Sequence, residues 1–245
     1  MSRDNLSSDS MIKATRSRAK FSGHGNSKGA SGHRVEGATA ASEFLKKTGE
    51  SYIFQPHEHG YETIKIGAAW DEVIIPDETF LGKFMKKTKT IDIDLDIGCL
   101  YELQNGERGA IQAFGDMYGN FDKEPYISLS GDERSGKTEG HDEFILINGP
   151  HWPEIKRILV YIYIYDGAPH WAEIKPEILI DMPGENDLMV IPDVKNSALS
   201  VCAISGIENV RNGAKVTNYT EYFPGHAEMD RAFGFGIQWT DGQKV

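Results

Sequence analysis

The chain has 245 residues, of which 39% are hydrophobic and 26% charged, and a formal net charge of −11. That length carries one large all-β domain or two small ones, with ample core. No apolar run approaches the ~18 residues of a membrane span, and Met1–Ser10 lacks the apolar stretch of a secretory signal, so a cytoplasmic location is expected. Two cysteines, Cys99 and Cys202, lie in apolar strand-like runs and read as buried free thiols of a reducing compartment. Collagen, coiled coil, membrane channel and disulfide miniprotein are excluded.

The charge is unevenly spread. Residues 1–50 carry nine Lys/Arg against five Asp/Glu, whereas the remaining 195 residues carry 17 against 32. A body this acidic is a poor binder of nucleic acid, and no specific nucleic-acid partner is expected; it is a reasonable host for cations.

Residues 1–50 are expected to form a flexible, basic Ser/Gly-rich tail. They hold too few large apolar side chains to offset the entropy of ordering. Within them, Thr39–Lys47 has the make-up of a short, weakly capped helix. From residue 51 to 245 the pattern becomes short apolar runs punctuated by turns. The runs are Ile91–Leu103, Tyr126–Ser130, Phe144–Asn148, Ile158–Tyr165, Ile174–Ile180, Leu188–Pro192, Leu199–Ile207, Ala214–Phe223 and Ala232–Trp239. Asn105-Gly106, Asn148-Gly149-Pro150, Pro183-Gly184 and Asn212-Gly213 stand between them. Helical periodicity is nearly absent, so the expected fold is an all-β sandwich of about ten mostly antiparallel strands. Thr79–Lys89 reads equally as helix or strand edge.

Two acidic segments carry the chemistry. In Ile91-Asp92-Ile93-Asp94-Leu95-Asp96-Ile97 the isoleucines and Leu95 face inward, and the aspartates line the other face at roughly 7 Å intervals. Like charges that close repel unless a cation or basic partner joins them; the plain alternative is a solvated outer face. The second segment, Ser130–Glu143, is punctuated by glycine and holds five carboxylates between Asp132 and Glu143. Calcium takes six to eight oxygen ligands in flexible geometry, from carboxylates and backbone carbonyls alike. The plain alternative here is a hydrophilic surface loop.

These segments, in this order, resemble the TerD/TerA tellurite-resistance stress-protein family. Gly67-Ala68-Ala69-Trp70-Asp71 resembles the family's Gly-x-Gly-Trp-Asp opening, and Asp94-Leu95-Asp96-Ile97-Gly98 its Asp-Leu-Asp-apolar-Ser element. Gly131-Asp132 through Gly140-His141-Asp142-Glu143 resembles its acidic loop. Ile158–Asp166 resembles its long apolar strand, and Phe233-Gly234-Phe235-Gly236 a glycine-containing C-terminal strand. The resemblance implies a calcium-binding β-sandwich with Asp94, Asp96, Asp132, Asp142 and Glu143 as ligands, and Glu139 and Glu133 behind them. It also implies a non-enzymatic role in stress response, in a multiprotein assembly near the inner membrane face, in a bacterium or a phage. Homo-oligomers are a further expectation. Among the departures from the family pattern, His141 and Lys137 remove negative charge, and together with Glu133, Thr138 and Gly98 they put one of two family-type calcium sites in doubt. The alternative within this class is a structural or virion-associated assembly protein with a degenerate metal site.

Gly131-Asp132-Glu133-Arg134-Ser135-Gly136-Lys137-Thr138 also matches the phosphate-binding G-x-x-x-x-G-K-[ST] letter for letter. That motif needs a helix to begin at Lys137-Thr138. A strand-like Phe144–Ile147 follows instead, and the βα alternation of a parallel sheet is missing. His57-Glu58-His59 reads as a polar turn rather than a metal site, and the Tyr161/Tyr163/Tyr165 ladder as cross-strand packing.

Overall fold

A computed structural model describes residues 43–56, 58–70, 73–76, 85–86, 88–91, 94–113, 115, 117–130, 144–166, 171–194 and 198–239. In chain order the strands are β1 (Glu43–Leu45), β2 (Ser51–Phe54), β3 (Ile64–Ala69), β4 (Val73–Pro76) and β5 (Thr88–Ile91). Next come β6 (Asp94–Leu103), β7 (Arg108–Ile111), β8 (Gly119–Asn120), β9 (Ile127–Leu129) and β10 (Phe144–Ile147). A 3₁₀ turn at Gly149–Glu154 leads to β11 (Ile155–Asp166), and helix α1 (Trp171–Ile174) precedes β12 (Glu177–Asp181) and β13 (Leu188–Val190). The last elements are β14 (Val201–Val210), β15 (Gly213–Phe223) and helix α2 (His226–Phe233). Among the described residues no helix is long and apolar enough to cross a membrane.

Two sheets face one another. The first runs β1-β13-β12-β3-β10-β9-β8 and the second β2-β15-β14-β11-β6-β7, with β4 and β5 paired as a separate ribbon. The β1–β13 pairing is parallel and the other described pairings are antiparallel. This is the expected all-β sandwich, with the short strands β1, β2, β4, β7 and β8, of two to four residues, adding to the about ten read from apolar runs. Such strands bury too few side chains to leave a periodic signal.

The side chains between the sheets form the main core. Leu95, Ile97, Cys99 and Leu103 of β6 and Val160 and Ile162 of β11 meet Ile66, Ile145, Ile178 and Val190 of the facing sheet. Cys99 and Cys202 are buried free thiols, as expected; burial pushes both well above the ordinary thiol range.

Two expectations give way. Residues 43–45 are a strand, not part of a helix over Thr39–Lys47, and they lie inside the segment expected as tail. The reason is tertiary. Leu45 is buried in the main core, and the Asn218 side-chain amide donates to Leu45 O and Ile191 O, both at 3.1 Å, stitching β15 to the edge of the opposite sheet. Thr220 Oγ1 in turn donates to Asn218 Oδ1 at 2.6 Å, which fixes the amide's orientation. The strand expected at Ala232–Trp239 is the end of α2 followed by an unpaired segment. Gly234, at φ +66°, closes the helix in the left-handed conformation that glycine adopts without a Cβ penalty.

Facing glycines seat aromatic rings. Gly98 is the register partner of Tyr161, and a Cβ added to Gly98 would lie 2.5 Å from the Tyr161 ring. The Tyr161 hydroxyl donates to Gln112 Oε1 at 2.5 Å, so the buried ring is fixed at its hydroxyl end. Gly98→Ala is therefore expected to lower unfolding stability by about 1–3 kcal/mol, the usual cost of overpacking, read as a reduced urea midpoint with the slope unchanged.

Candidate functional site

The outer face of the six-stranded sheet carries the chemistry. Successive side chains of β6 alternate between faces: Leu95, Ile97 and Cys99 enter the main core, whereas Leu100 joins a second apolar cluster with Leu159 and Tyr161. Asp96, Gly98 and Glu102 share the face of Leu100. At the start of β6, Asp94 is in register with Asp166 of β11, and Asp96 with Tyr163. Oδ1 of Asp96 is buried. The Asp96 charge, after burial and together with Cys99, pushes the Tyr161 phenol well above its ordinary value.

Of the expected calcium ligands, Asp94 and Asp96 fall on β6. Asp132, Glu139, Asp142 and Glu143, like Glu133 and His141, lie outside the described residues, as does Asp92. The strands that flank the acidic segment are described. Ser130 N–H donates to Phe144 O at 2.8 Å, and Phe144 N–H to Ser130 Oγ at 2.9 Å, so the two ends of the segment are held together. From Phe144, β10 runs away from this neck to Ile147; the 3₁₀ turn crosses between sheets, and β11 runs back to Asp166. The neck and the Asp94–Asp166 pair therefore lie toward the same end of the sandwich. Among the described residues no group of three or more His, Cys, Asp or Glu is gathered to hold a metal.

Beside Asp96 the face becomes aromatic. His226, at the start of α2, packs against Tyr161 at 5.1 Å, Tyr163 at 5.3 Å and Trp239 at 5.5 Å between ring centroids. Burial lowers its imidazole pKa to about 4, so it is neutral at physiological pH.

At the opposite end of β6 stands a cluster with no counterpart among the sequence expectations. Glu102 is buried, and its carboxylate accepts from Arg108 Nη2 at 3.0 Å, Lys156 Nζ at 2.8 Å and Arg157 Nε at 2.6 Å. Burial alone would raise this carboxyl, but the bonds from Lys156, Arg157 and Arg108 outweigh it and hold the pKa at about 2. Both guanidinium groups also donate to the C-terminal segment. Arg157 reaches Phe233 O at 2.9 Å and Gly234 O at 3.0 Å, Arg108 reaches Phe235 O at 2.9 Å, and Arg157 stacks 4.1 Å from the Phe235 ring. Cross-strand register puts Arg108, Glu102, Arg157, Glu208 and Lys215 in one row of alternating charge over five strands. Only pairing register brings these residues together, so strand periodicity alone cannot find them.

Over 153 residues the chain is 36% identical to the tellurium resistance protein TerA of an Alcaligenes species, a match covering 62% of this chain and 44% of that relative. In sequence the chain is similar to this tellurium resistance protein. It spans less than half the length of this TerA relative. No family model matches the chain. Among solved structures, a homologue of the telluride resistance protein TerD from Streptomyces coelicolor A3(2) is 15% identical, with a TM-score of 0.42 over 70% of this chain and 95% of that one. The unknown-function protein SAV2460 is 15% identical, with a TM-score of 0.42 over 73% and 99%. Likeness at that distance bears on neither site nor chemistry.

The Glu102 cluster makes a signed prediction. A carboxylate whose pKa is lowered on folding contributes stability that is full above its unfolded value near 4.5 and is lost as pH falls toward about 2. Acid titration of thermal stability is expected to show this loss in the native chain. Glu102→Gln removes that component and weakens three charge-assisted hydrogen bonds to cations that remain partly solvated, lowering neutral-pH stability by about 1–3 kcal/mol.

Proposed function

We propose that the chain is a non-enzymatic, calcium-binding module of the TerD/TerA kind that docks protein partners in a cation-dependent way. One observation carries the reading: the Asp94–Asp96 start of β6 and the pinned neck of the 131–143 segment lie toward the same end of the sandwich. The expected donors are all oxygen, which suits a hard, flexible cation such as calcium better than zinc or copper. In this reading Asp94 and Asp96 act with Asp132, Glu139, Asp142 and Glu143, because the described residues do not by themselves complete a site. Without the cation, strand and segment repel; with it they are joined and offer a fixed surface to a partner.

Sheet geometry speaks against the nucleotide-binding alternative. The strand after the G-x-x-x-x-G-K-T stretch, β10, pairs antiparallel with both β9 and β3, whereas a phosphate-binding loop serves a parallel sheet with helical crossovers. A place in a cytoplasmic multiprotein assembly, beside the inner membrane face, belongs to the same proposal and is drawn from kinship. Tellurium compounds enter only through the name of the Alcaligenes relative.

Thermal unfolding of metal-stripped protein with millimolar calcium, magnesium or ATP-magnesium tests this. A ligand at ~100 times its Kd adds about 2.7 kcal/mol, or about 5 °C for a chain of this size. A calcium-selective rise, lost in Asp94→Asn with Asp96→Asn while the metal-free urea midpoint is kept, is the expected result. A rise that requires ATP, or no rise with any cation, contradicts it.

A further inference from the structure

The stretch Gly225–Trp239 covers the outer face of the six-stranded sheet without joining it. Backbone bonds from Met229 N–H to Gly225 O, and from Gly234 and Phe235 N–H to Asp230 O, stay within the stretch. Asp230, buried, folds the rest of it back: its carboxylate accepts from Gly236 N–H at 2.8 Å, Ile237 N–H at 2.9 Å and Trp239 Nε1 at 3.0 Å. The stretch is thus a small unit with its own internal bonding. It sits on the sheet through ring contacts of His226 with Tyr161 and Tyr163 and of Phe233 with Tyr219 and Phe223, and through apolar and ionic contacts. Met229 and Phe235 bury against Leu100, Leu159 and Tyr161, and three successive carbonyls are gripped by Arg157 and Arg108. Beneath it, β11, β14 and β6 are paired along their lengths with one another and with β15 and β7, so the sheet's ladder does not depend on what covers it. The joint is short: β15 ends at Phe223, and Pro224 and Gly225 lead directly into the helix.

We propose that Gly225–Trp239 is an exchangeable strap: it lifts as one unit about Pro224–Gly225, and the face it leaves accepts the same stretch from a second copy of this chain. The occupant is defined by the complementarity the chain displays in itself. A matching segment must bring two apolar anchors at the positions of Met229 and Phe235, and a helix C-terminus whose carbonyls meet Arg157 and Arg108. Another copy supplies all of these, and a short joint after a long strand is a common setting for such exchange. This inference does not depend on the calcium reading.

A fluorescent synthetic peptide of residues 224–239, titrated into the full chain, is the direct probe. Saturable binding is expected, faster in 1 M than in 0.1 M salt because screening loosens the ionic grip on the resident strap, and abolished when the peptide carries Met229→Asp and Phe235→Asp. Hydrogen exchange is expected to be at least tenfold faster across 226–239 than across β11, with light-scattering mass showing dimers as the concentration of full chain rises. An absence of peptide binding, strap amides as protected as those of β11, or a chain that stays monomeric to millimolar concentration would each overturn the proposal.

Discussion

A single buried carboxylate organises the outer half of this molecule. Glu102 lies at the far end of β6, where an ionised side chain is tolerated only if fully compensated. Three cations from β7 and β11 supply that compensation. In meeting it they become fixed donors, and Arg157 and Arg108 use that fixity to hold the C-terminal carbonyls of α2. The helix then shields Leu100, Leu159 and Tyr161 from water. A charge that is costly in isolation thereby sets where an apolar face is closed.

The outer positions of β6 form a graded line. Asp96 stands near the carboxylate end, Gly98 seats the Tyr161 ring, Leu100 belongs to the apolar cluster under α2, and Glu102 anchors the latch. Tyr161 and His226 link the first of these positions to the start of α2. One strand therefore carries the proposed cation end and the strap's anchor on the same face, with a pinned aromatic ring between them.

Much of the sandwich was legible in the sequence because apolar runs bounded by Asn, Gly and Pro are what a two-layer β core requires. Tyr126–Ser130, Phe144–Asn148 and Ala214–Phe223 correspond to β9, β10 and β15 within one or two residues. Gly106 and Gly184 adopt positive φ at the expected turns, and Arg211 and Asn212 do so beside Gly213. The failures have physical causes. Ala232–Trp239 alternates glycine with aromatics like a strand, yet Gly234 terminates a helix there and Asp230 captures the amides that a ladder would otherwise use. Residues 43–45, read within a short helix over Thr39–Lys47, form a strand instead because they are held by Asn218, 173 residues away from Leu45. Glu102 and its cations look like solvated strand charges until register joins them. At the start of β6, alternation foretold that Asp96 lies on the face opposite Leu95 and Ile97, and Asp132, Glu139, Asp142 and Glu143 lie outside the described residues.

The account turns on whether calcium joins the start of β6 to the 131–143 segment. Hydrogen exchange of the metal-stripped full chain, followed by mass spectrometry with and without calcium, reads this by position. Slower exchange is expected at residues 94–98 and 131–144 on adding calcium, with the β6–β7 turn around Asn105 at the other end unchanged. Equal exchange at both acidic segments in the two conditions, or protection confined to the Asn105 end, would contradict it.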